Sequence, residues 1–264
     1  MLEKELNDDL NIALEASKGA GDIIMKYYKH DYEIREKGYH NPVTTADHEA
    51  DDFLKKTLLD ARPEYGWLSE ETVDSKERLI KKKVWIVDPI DGTKEFIEGV
   101  PQFVVSIGLV DNGKPVVGIL YNPATNETFY ASHGCGSFLN ENRFEVTKKD
   151  SIKEMIILNS RSETRRGLWE PFKNSFKRLE PIGSVAYKMG LTAVGKADIF
   201  ATLRPKNEWD VCAGACLIKE AGGKSINLNG QELEFNKEKT LIEPGIIAGY
   251  NLSVDKTYKE LNKE

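Results

Sequence analysis

Residues 84–97, Val-Trp-Ile-Val-Asp-Pro-Ile-Asp-Gly-Thr-Lys-Glu-Phe-Ile, bring two kinds of chemistry into one turn. A short apolar strand, 84–87, runs into the carboxylates of Asp88 and Asp91 and stops there, with Pro89 and Gly92 turning the chain. After the turn, residues 93–96 read as the start of a helix, whose free N–H groups and positive dipole end face an anion. Carboxylates gather cations and a helix start gathers phosphate, so the pair points to a divalent metal bridging protein and phosphate. The plainer alternative is a chain reversal, because Asp, Gly and Pro are ordinary turn residues.

The longer run 85–93, Trp-Ile-Val-Asp-Pro-Ile-Asp-Gly-Thr, resembles the signature of the inositol monophosphatase superfamily of lithium-sensitive, magnesium-dependent phosphomonoesterases. Three further strings follow the family's order: Pro42-Val43-Thr44-Thr45-Ala46-Asp47, Leu68-Ser69-Glu70-Glu71, and Trp209-Asp210-Val211 with Ala213-Gly214-Ala215 and Glu220-Ala221-Gly222-Gly223. The resemblance implies an α+β fold, a layered α-β-α-β-α sandwich, with two or three Mg2+ in each site and pairing as a homodimer. By the same resemblance Glu70, Asp88 and the main-chain carbonyl of Ile90 hold one metal, and Asp88, Asp91 and Asp210 hold a second. Asp47 pairs with Thr93 to orient the attacking water, and Glu70 joins them as a catalytic residue. Asp91, Gly92, Thr93 and Asp210 then meet the substrate, and Gly183 and Ser184 stand where the family places a second loop against it.

Each of these residues also has a purely local explanation. Glu70 and Glu71 suit a solvated pair at a strand end. Asp210 and Ser184 suit helix caps, and Thr44 with Asp47 suits a capping box. Lys37, on a polar arm ahead of Thr45, and Glu208 are the outermost candidates for the site, and an exposed lysine needs no function.

Substrate choice rests on departures from the family pattern. Where inositol monophosphatases carry an acidic residue that contacts ring hydroxyls, this chain has Leu203, followed by Arg204 and Pro205. Arg204 and Lys206 suit a second anion instead. Leu68-Ser69-Glu70-Glu71, Lys94-Glu95-Phe96 and Ser160-Arg161-Ser162 resemble the 3'(2'),5'-bisphosphate nucleotidase branch, whereas 102–109 and 186–194 look closer to the inositol phosphatase branch. The resemblance therefore implies hydrolysis of adenosine 3',5'-bisphosphate to AMP and phosphate, with inositol or sugar phosphates such as fructose 1,6-bisphosphate as the alternative. A metal-binding regulatory protein that kept the fold and lost the activity would show a missing ligand, and none is missing.

Several elements must converge to assemble such a site. Helical spacing over 6–28 and 46–59 predicts two helices, separated by a polar arm, 33–45, that Gly38 and Pro42 keep irregular. A short strand at 67–69 leads to Glu70. Strands at 104–110 and 116–121 form a hairpin, and 128–131, 136–139 and 143–146 continue an antiparallel meander. A polar stretch at 147–151 marks a boundary between an N-terminal α+β lobe, 1–147, with most metal ligands, and a C-terminal α/β lobe, 148–264, with Asp210. The second lobe reads as a strand at 155–158, a polar helix at 163–178, an apolar helix at 184–194 and a strand at 198–201. A helix at 209–221, stopped by Gly222-Gly223, and strands at 224–226 and 246–248 complete it.

With 264 residues and 40% apolar content, the chain can bury a sizeable core without disulfides. A net charge of −6 argues against binding nucleic acid polymers or acidic membranes, so an anionic small molecule needs help from metal ions. No apolar run reaches the ~18 residues of a membrane span, and the first residues lack the apolar core of a signal peptide. Three cysteines fit a reducing compartment, and a cytoplasmic protein is the expectation. Cys212 and Cys216 are four apart, but no histidine spacing completes a zinc site, so both read as core residues.

Overall fold

Unbroken apolar residues at 84–87 demand cover on both faces of their strand, and the whole architecture supplies it. The computed structural model describes residues 2–38 and 41–263. Helix α1 (Leu2–Tyr27), a hairpin of β1 (Ile34–Gly38) and β2 (Asn41–Thr44), and helix α2 (Thr45–Ala61) come first. A seven-stranded sheet follows in simple sequence order: β3 (Gly66–Ser69), β4 (Lys83–Asp91), β5 (Val104–Asp111), β6 (Lys114–Asn122), β7 (Glu127–Ser132), β8 (Gly136–Leu139) and β9 (Asn142–Phe144). Only β3 and β4 pair in parallel. The short helix α3 (Thr93–Ile97) leaves the end of β4.

The second sheet contains β10 (Ile156–Ser160), β11 (Arg178–Ile182), β12 (Ile199–Thr202), β14 (Gly223–Asn227) and β16 (Ile246–Tyr250), in the order β11-β10-β12-β16-β14. A two-stranded pair, β13 (Lys206–Asn207) with β15 (Leu241–Ile242), stands apart from it. The helices of this half are α4 (Arg161–Arg165), α5 (Val185–Ala193), α6 (Glu208–Glu220) and α7 (Asn251–Leu261).

Strand alternation sorts the core into layers. Trp85 and Val87 pack with Ala16, Ala20, Ala50 and Leu54 of α1 and α2, whereas Val84 and Ile86 join Met189, Cys212 and Leu217 of α5 and α6. A third cluster places Val254 of α7 against Ile199 and Ile247 of the second sheet. The order is α1 and α2, seven strands, α5 and α6, five strands, then α4 and α7, an α+β sandwich of five layers. Among the described residues no helix is long and apolar enough to cross a membrane.

Three sequence expectations are corrected. The strand does not stop at Val87 but runs to Asp91, because a bulge absorbs the acids: Asp88 faces Ser106 and Asp91 faces Val104, three steps on β4 against two on β5. The arm at 33–45 is a β-hairpin, in which Pro42 is tolerated because a two-stranded ribbon has only edges. The helix expected at 163–178 is only α4. Gly167 at φ +73° breaks it, and the buried Trp169 turns back to donate from Nε1 to Glu163 at 2.9 Å. Helix α7 was not anticipated.

Helix α6, which carries Asp210, sits unusually close to the sheet. Gly108 and Gly118 are register partners on β5 and β6, and a Cβ at Gly118 would stand 2.4 Å from the Ala213 carbonyl oxygen. At Gly108 it would stand 2.6 Å from Cys212 Sγ. The two thiols of α6 are therefore packing groups, as their spacing suggested. Because the atom in the way at Gly118 is backbone, Gly118→Ala is expected to destabilise the fold by about 1–3 kcal/mol in urea unfolding and to impair the site by lifting α6. A change within ~0.5 kcal/mol would show that α6 has room to move.

Candidate active site

The bulge in β4 is what lets two carboxylates three residues apart share one cavity, since in a regular strand such residues point to opposite faces. Asp88 Oδ1 accepts from the Ile90 N–H at 3.0 Å, which fixes its rotamer. Glu70 follows β3, and its N–H donates to the Val87 carbonyl at 3.2 Å, so it stands beside Asp88. Asp210 lies in the first turn of α6, where its Oδ2 accepts from the Asn207 N–H at 2.9 Å. Carboxylate oxygens of Glu70, Asp88 and Asp210 all lie within 4.8 Å of one another. Asp91 lines the same cavity, with Oδ2 accepting from the Ser184 hydroxyl and, at 2.6 Å, from the Ala186 N–H.

Such a cluster is electrostatically unstable by itself. Burial, then the charges of Glu70, Asp91 and Asp210, hold Asp88 well above the usual carboxylate range. Burial followed by Asp91 and Glu70 lifts Asp210 to about 8, against the pull of Lys206. Asp91 is raised by burial to about 6, although Ser184, Lys188 and the Ala186 N–H favour its charged form. Hard oxygen donors that raise one another's pKa in this way are the donor set a divalent cation relieves, so the residues fit such an ion.

Asp47 and Thr93 also meet. Thr44 and Asp47 form a complete capping box at the start of α2, with Asp47 Oδ2 accepting from Thr44 N at 2.7 Å and Thr44 Oγ1 at 2.6 Å. The other oxygen, Oδ1, lies 3.1 Å from Thr93 Oγ1, so capping and pairing use different atoms of one carboxylate. The single Thr93 hydroxyl hydrogen also reaches the Ile90 carbonyl at 3.1 Å. Gly92 between them has φ +104°, and a Cβ there would meet the Gln102 carbonyl at 2.7 Å, so only glycine fits.

The cavity, about 260 Å³, is completed from the second half of the chain. Gly183 lines it, with its N–H donating to Gln102 Oε1 at 2.9 Å and its missing side chain making room for Glu95. Ser184, at φ +55°, caps α5 and turns its hydroxyl to Asp91. Arg204 is exposed and outside the lining, and Glu208 is buried with its carboxylate accepting from the Asn236 and Lys237 N–H groups at 2.7 and 2.8 Å. Lys37 lies on β1, and its side chain falls outside the described residues.

Sequence reasoning missed Lys188 and Arg165, and it marked Arg161 only within Ser160-Arg161-Ser162, a string resembling the bisphosphate nucleotidase branch. Lys188 is buried in the cavity wall and donates to the Ile182 and Ser184 carbonyls at 2.9 and 2.5 Å; burial lowers it to about 8. Arg161 is held by Glu95 and Glu98, each at 2.8 Å. A lysine inside an otherwise apolar helical stretch was the available signal for Lys188. Nothing local marked Arg165 as a cavity residue.

The inositol monophosphatase family matches residues 5–263 of this chain. A Thermotoga maritima protein named fructose-1,6-bisphosphatase/inositol-1-monophosphatase is 30% identical over 242 residues, covering 91% of this chain and 93% of that protein. The 3'(2'),5'-bisphosphate nucleotidase CysQ of Aggregatibacter actinomycetemcomitans is 29% identical over 249 residues, with 91% and 92% covered. The solved structure of a Thermotoga maritima IMPase superposes with a TM-score of 0.85 at 29% identity, over 97% of each chain. A matching fold, a matching length and phosphatases as relatives agree with the carboxylate cavity: this chain belongs to the inositol monophosphatase family and is a phosphoric monoester hydrolase.

Proposed function

We propose that the protein is a Mg2+-dependent 3'(2'),5'-bisphosphate nucleotidase that hydrolyses adenosine 3',5'-bisphosphate to AMP and phosphate. The observation that carries this reading is that four cations, Lys94, Arg165, Lys188 and Lys206, line the cavity without a salt bridge among the described residues, although Lys206 lies close enough to pull on Asp210. Cations beside a carboxylate cluster that are not locked into salt bridges suit a substrate with a second phosphate. Leu203 is consistent with it, because its side chain packs into the third core cluster and offers nothing to a sugar hydroxyl. The second reading is an inositol-1-phosphate or fructose-1,6-bisphosphate phosphatase, favoured by the printed name of the Thermotoga maritima relative. Magnesium as the ion, two or three ions per site, lithium sensitivity, a cytoplasmic setting, a homodimer and the lobes 1–147 and 148–264 belong to the same proposal.

In this mechanism Glu70, Asp88 and the Ile90 carbonyl would hold one cation, and Asp88, Asp91 and Asp210 would hold another. The bound ions would neutralise phosphate charge, acidify a water and stabilise the leaving oxygen. The Thr93 hydroxyl, 3.1 Å from Asp47 Oδ1, donates to that carboxylate and is oriented by it. With its hydrogen so donated, the Thr93 oxygen can accept from the attacking water. Gly92 and Thr93 N–H groups bind phosphate oxygens. Ser184 and Ala186 keep the Asp91 carboxylate turned to its task, while Gly183 gives the substrate close access to the backbone.

Phosphate release from a panel of monoesters tests the reading. Adenosine 3',5'-bisphosphate is expected to give a higher kcat/KM than inositol 1-phosphate or fructose 1,6-bisphosphate, and the reverse order would install the second reading. Asp91→Asn is expected to lose about 10²-fold or more in kcat/KM, since several kcal/mol of charge stabilisation go with the ion. Full activity in that variant would sink the mechanism.

The raised carboxyl groups also predict a pH dependence of stability. A carboxyl with a folded pKa above its unfolded value of about 4 binds extra protons when folded. Its contribution is present below that pH and is lost as pH rises through about 6 for Asp91 and about 8 for Asp210. Metal-free protein is thus expected to melt at a lower temperature at about pH 8 than at about pH 5.5, and Mg2+ to raise Tm more at the higher pH. Calorimetry in chelator and in Mg2+ reads this directly; an equal rise at both pH values would contradict it.

A further inference from the structure

Asp51 lies one helical turn after Asp47 on α2, on the same face, and is only 4% exposed, yet no step above uses it. Its Oδ1 accepts from the Ser69 hydroxyl, and its Oδ2 accepts from the Thr72 hydroxyl at 2.5 Å. Ser69 and Thr72 bracket Glu70 and Glu71. Ser69 Oγ also accepts from the Glu71 N–H at 3.3 Å, and Trp67 Nε1 donates to Thr72 Oγ1 at 3.3 Å, so the bracket closes on both sides. On its remaining side the turn is tied to β4 by Glu70 N–H and the Val87 carbonyl.

We propose that Asp51 is a positioning residue that clamps the turn 69–72 and thereby aims the Glu70 carboxylate for the divalent cation. The inference rests on the reading of Glu70 as a ligand. Glutamate has three side-chain torsions, so a carboxylate that must meet Asp88 and Asp210 needs its backbone held on both sides. A carboxylate suits this clamp because both its oxygens accept, whereas an amide would turn an N–H toward one of the two hydroxyls. Helix α2 then sets both partners of the reaction from one face, with Asp47 orienting Thr93 and Asp51 orienting Glu70.

The test is titration calorimetry of Mg2+ and Mn2+ into metal-free protein, with Tm measured alongside. Asp51→Asn is expected to weaken binding about 10-fold, as loss of a group that orients a metal ligand does, and to recover most of kcat at saturating Mg2+. Thr72→Val, which removes one bond of the clamp, is expected to weaken binding by a smaller factor and keeps the test open if Asp51→Asn folds poorly. A drop in Tm with unchanged affinity in both variants, while Glu70→Gln binds weakly, would reduce Asp51 to a structural role and overturn the inference. Native affinity in Glu70→Gln would instead overturn Glu70 as a ligand, and the inference with it.

Discussion

Glu70, Asp88, Asp91 and Asp210 repel one another, and much of the surrounding structure exists to hold them together despite that. Each carboxylate drawn from water raises the cost of ionising its neighbours, which is why Asp88 and Asp210 stand so far from ordinary carboxyl behaviour. Without a cation such a cluster works against folding, in the way functional sites commonly do. The structure answers with fixed donors from different elements: the Ile90 N–H for Asp88, the start of α5 for Asp91 and the Asn207 N–H for Asp210. These donors leave enough like charge unrelieved to attract an ion, and they prevent the side chains from turning out to water.

Bringing those donors together requires close approach of backbone, and that explains features of no chemical interest by themselves. The β4 bulge rotates Asp91 into the cavity of Asp88. The facing glycines Gly108 and Gly118 let α6 settle onto the sheet far enough for Asp210 to join. Gly183 gives way to Glu95, which in turn holds Arg161. A methyl group at any of these positions would act on the site through distance alone.

Much of this was legible in the sequence because it is local. Asp88, Asp91, Gly92 and Thr93 lie within six consecutive residues, and the Thr44–Asp47 cap follows from spacing along one helix. The five layers follow from the family resemblance together with alternation along β4. Less legible were features that depend on partners distant in sequence. The hairpin at Ile34–Gly38 and Asn41–Thr44 carries a polar pattern and a proline that argue for irregular chain. The segment after α4 has helical composition, and what overrides it is the burial of Trp169 against Glu163. Arg204 and Lys206 looked equivalent as cations near Asp210, yet the turn into β13 leaves Lys206 in the cavity wall and Arg204 in solvent.

That last division separates side chains that the backbone must fix from side chains that it need not. The acids must sit at a bulge, a strand end and a helix start, because only fixed backbone positions can hold repelling charges in register. These are the places a short motif can encode. Three cations of the cavity wall have no such constraint: Arg161 and Arg165 come from a helix of five residues, and Lys206 from a strand of two. Long side chains on short elements reach the same space from several backbone positions, so they can be exchanged without disturbing the carboxylates. Relatives at about 30% identity carry different printed substrate names. In this chain Glu95 and Glu98 engage Arg161 and form no salt bridge with Arg165, so two arginines of one short helix meet the cavity with different freedom.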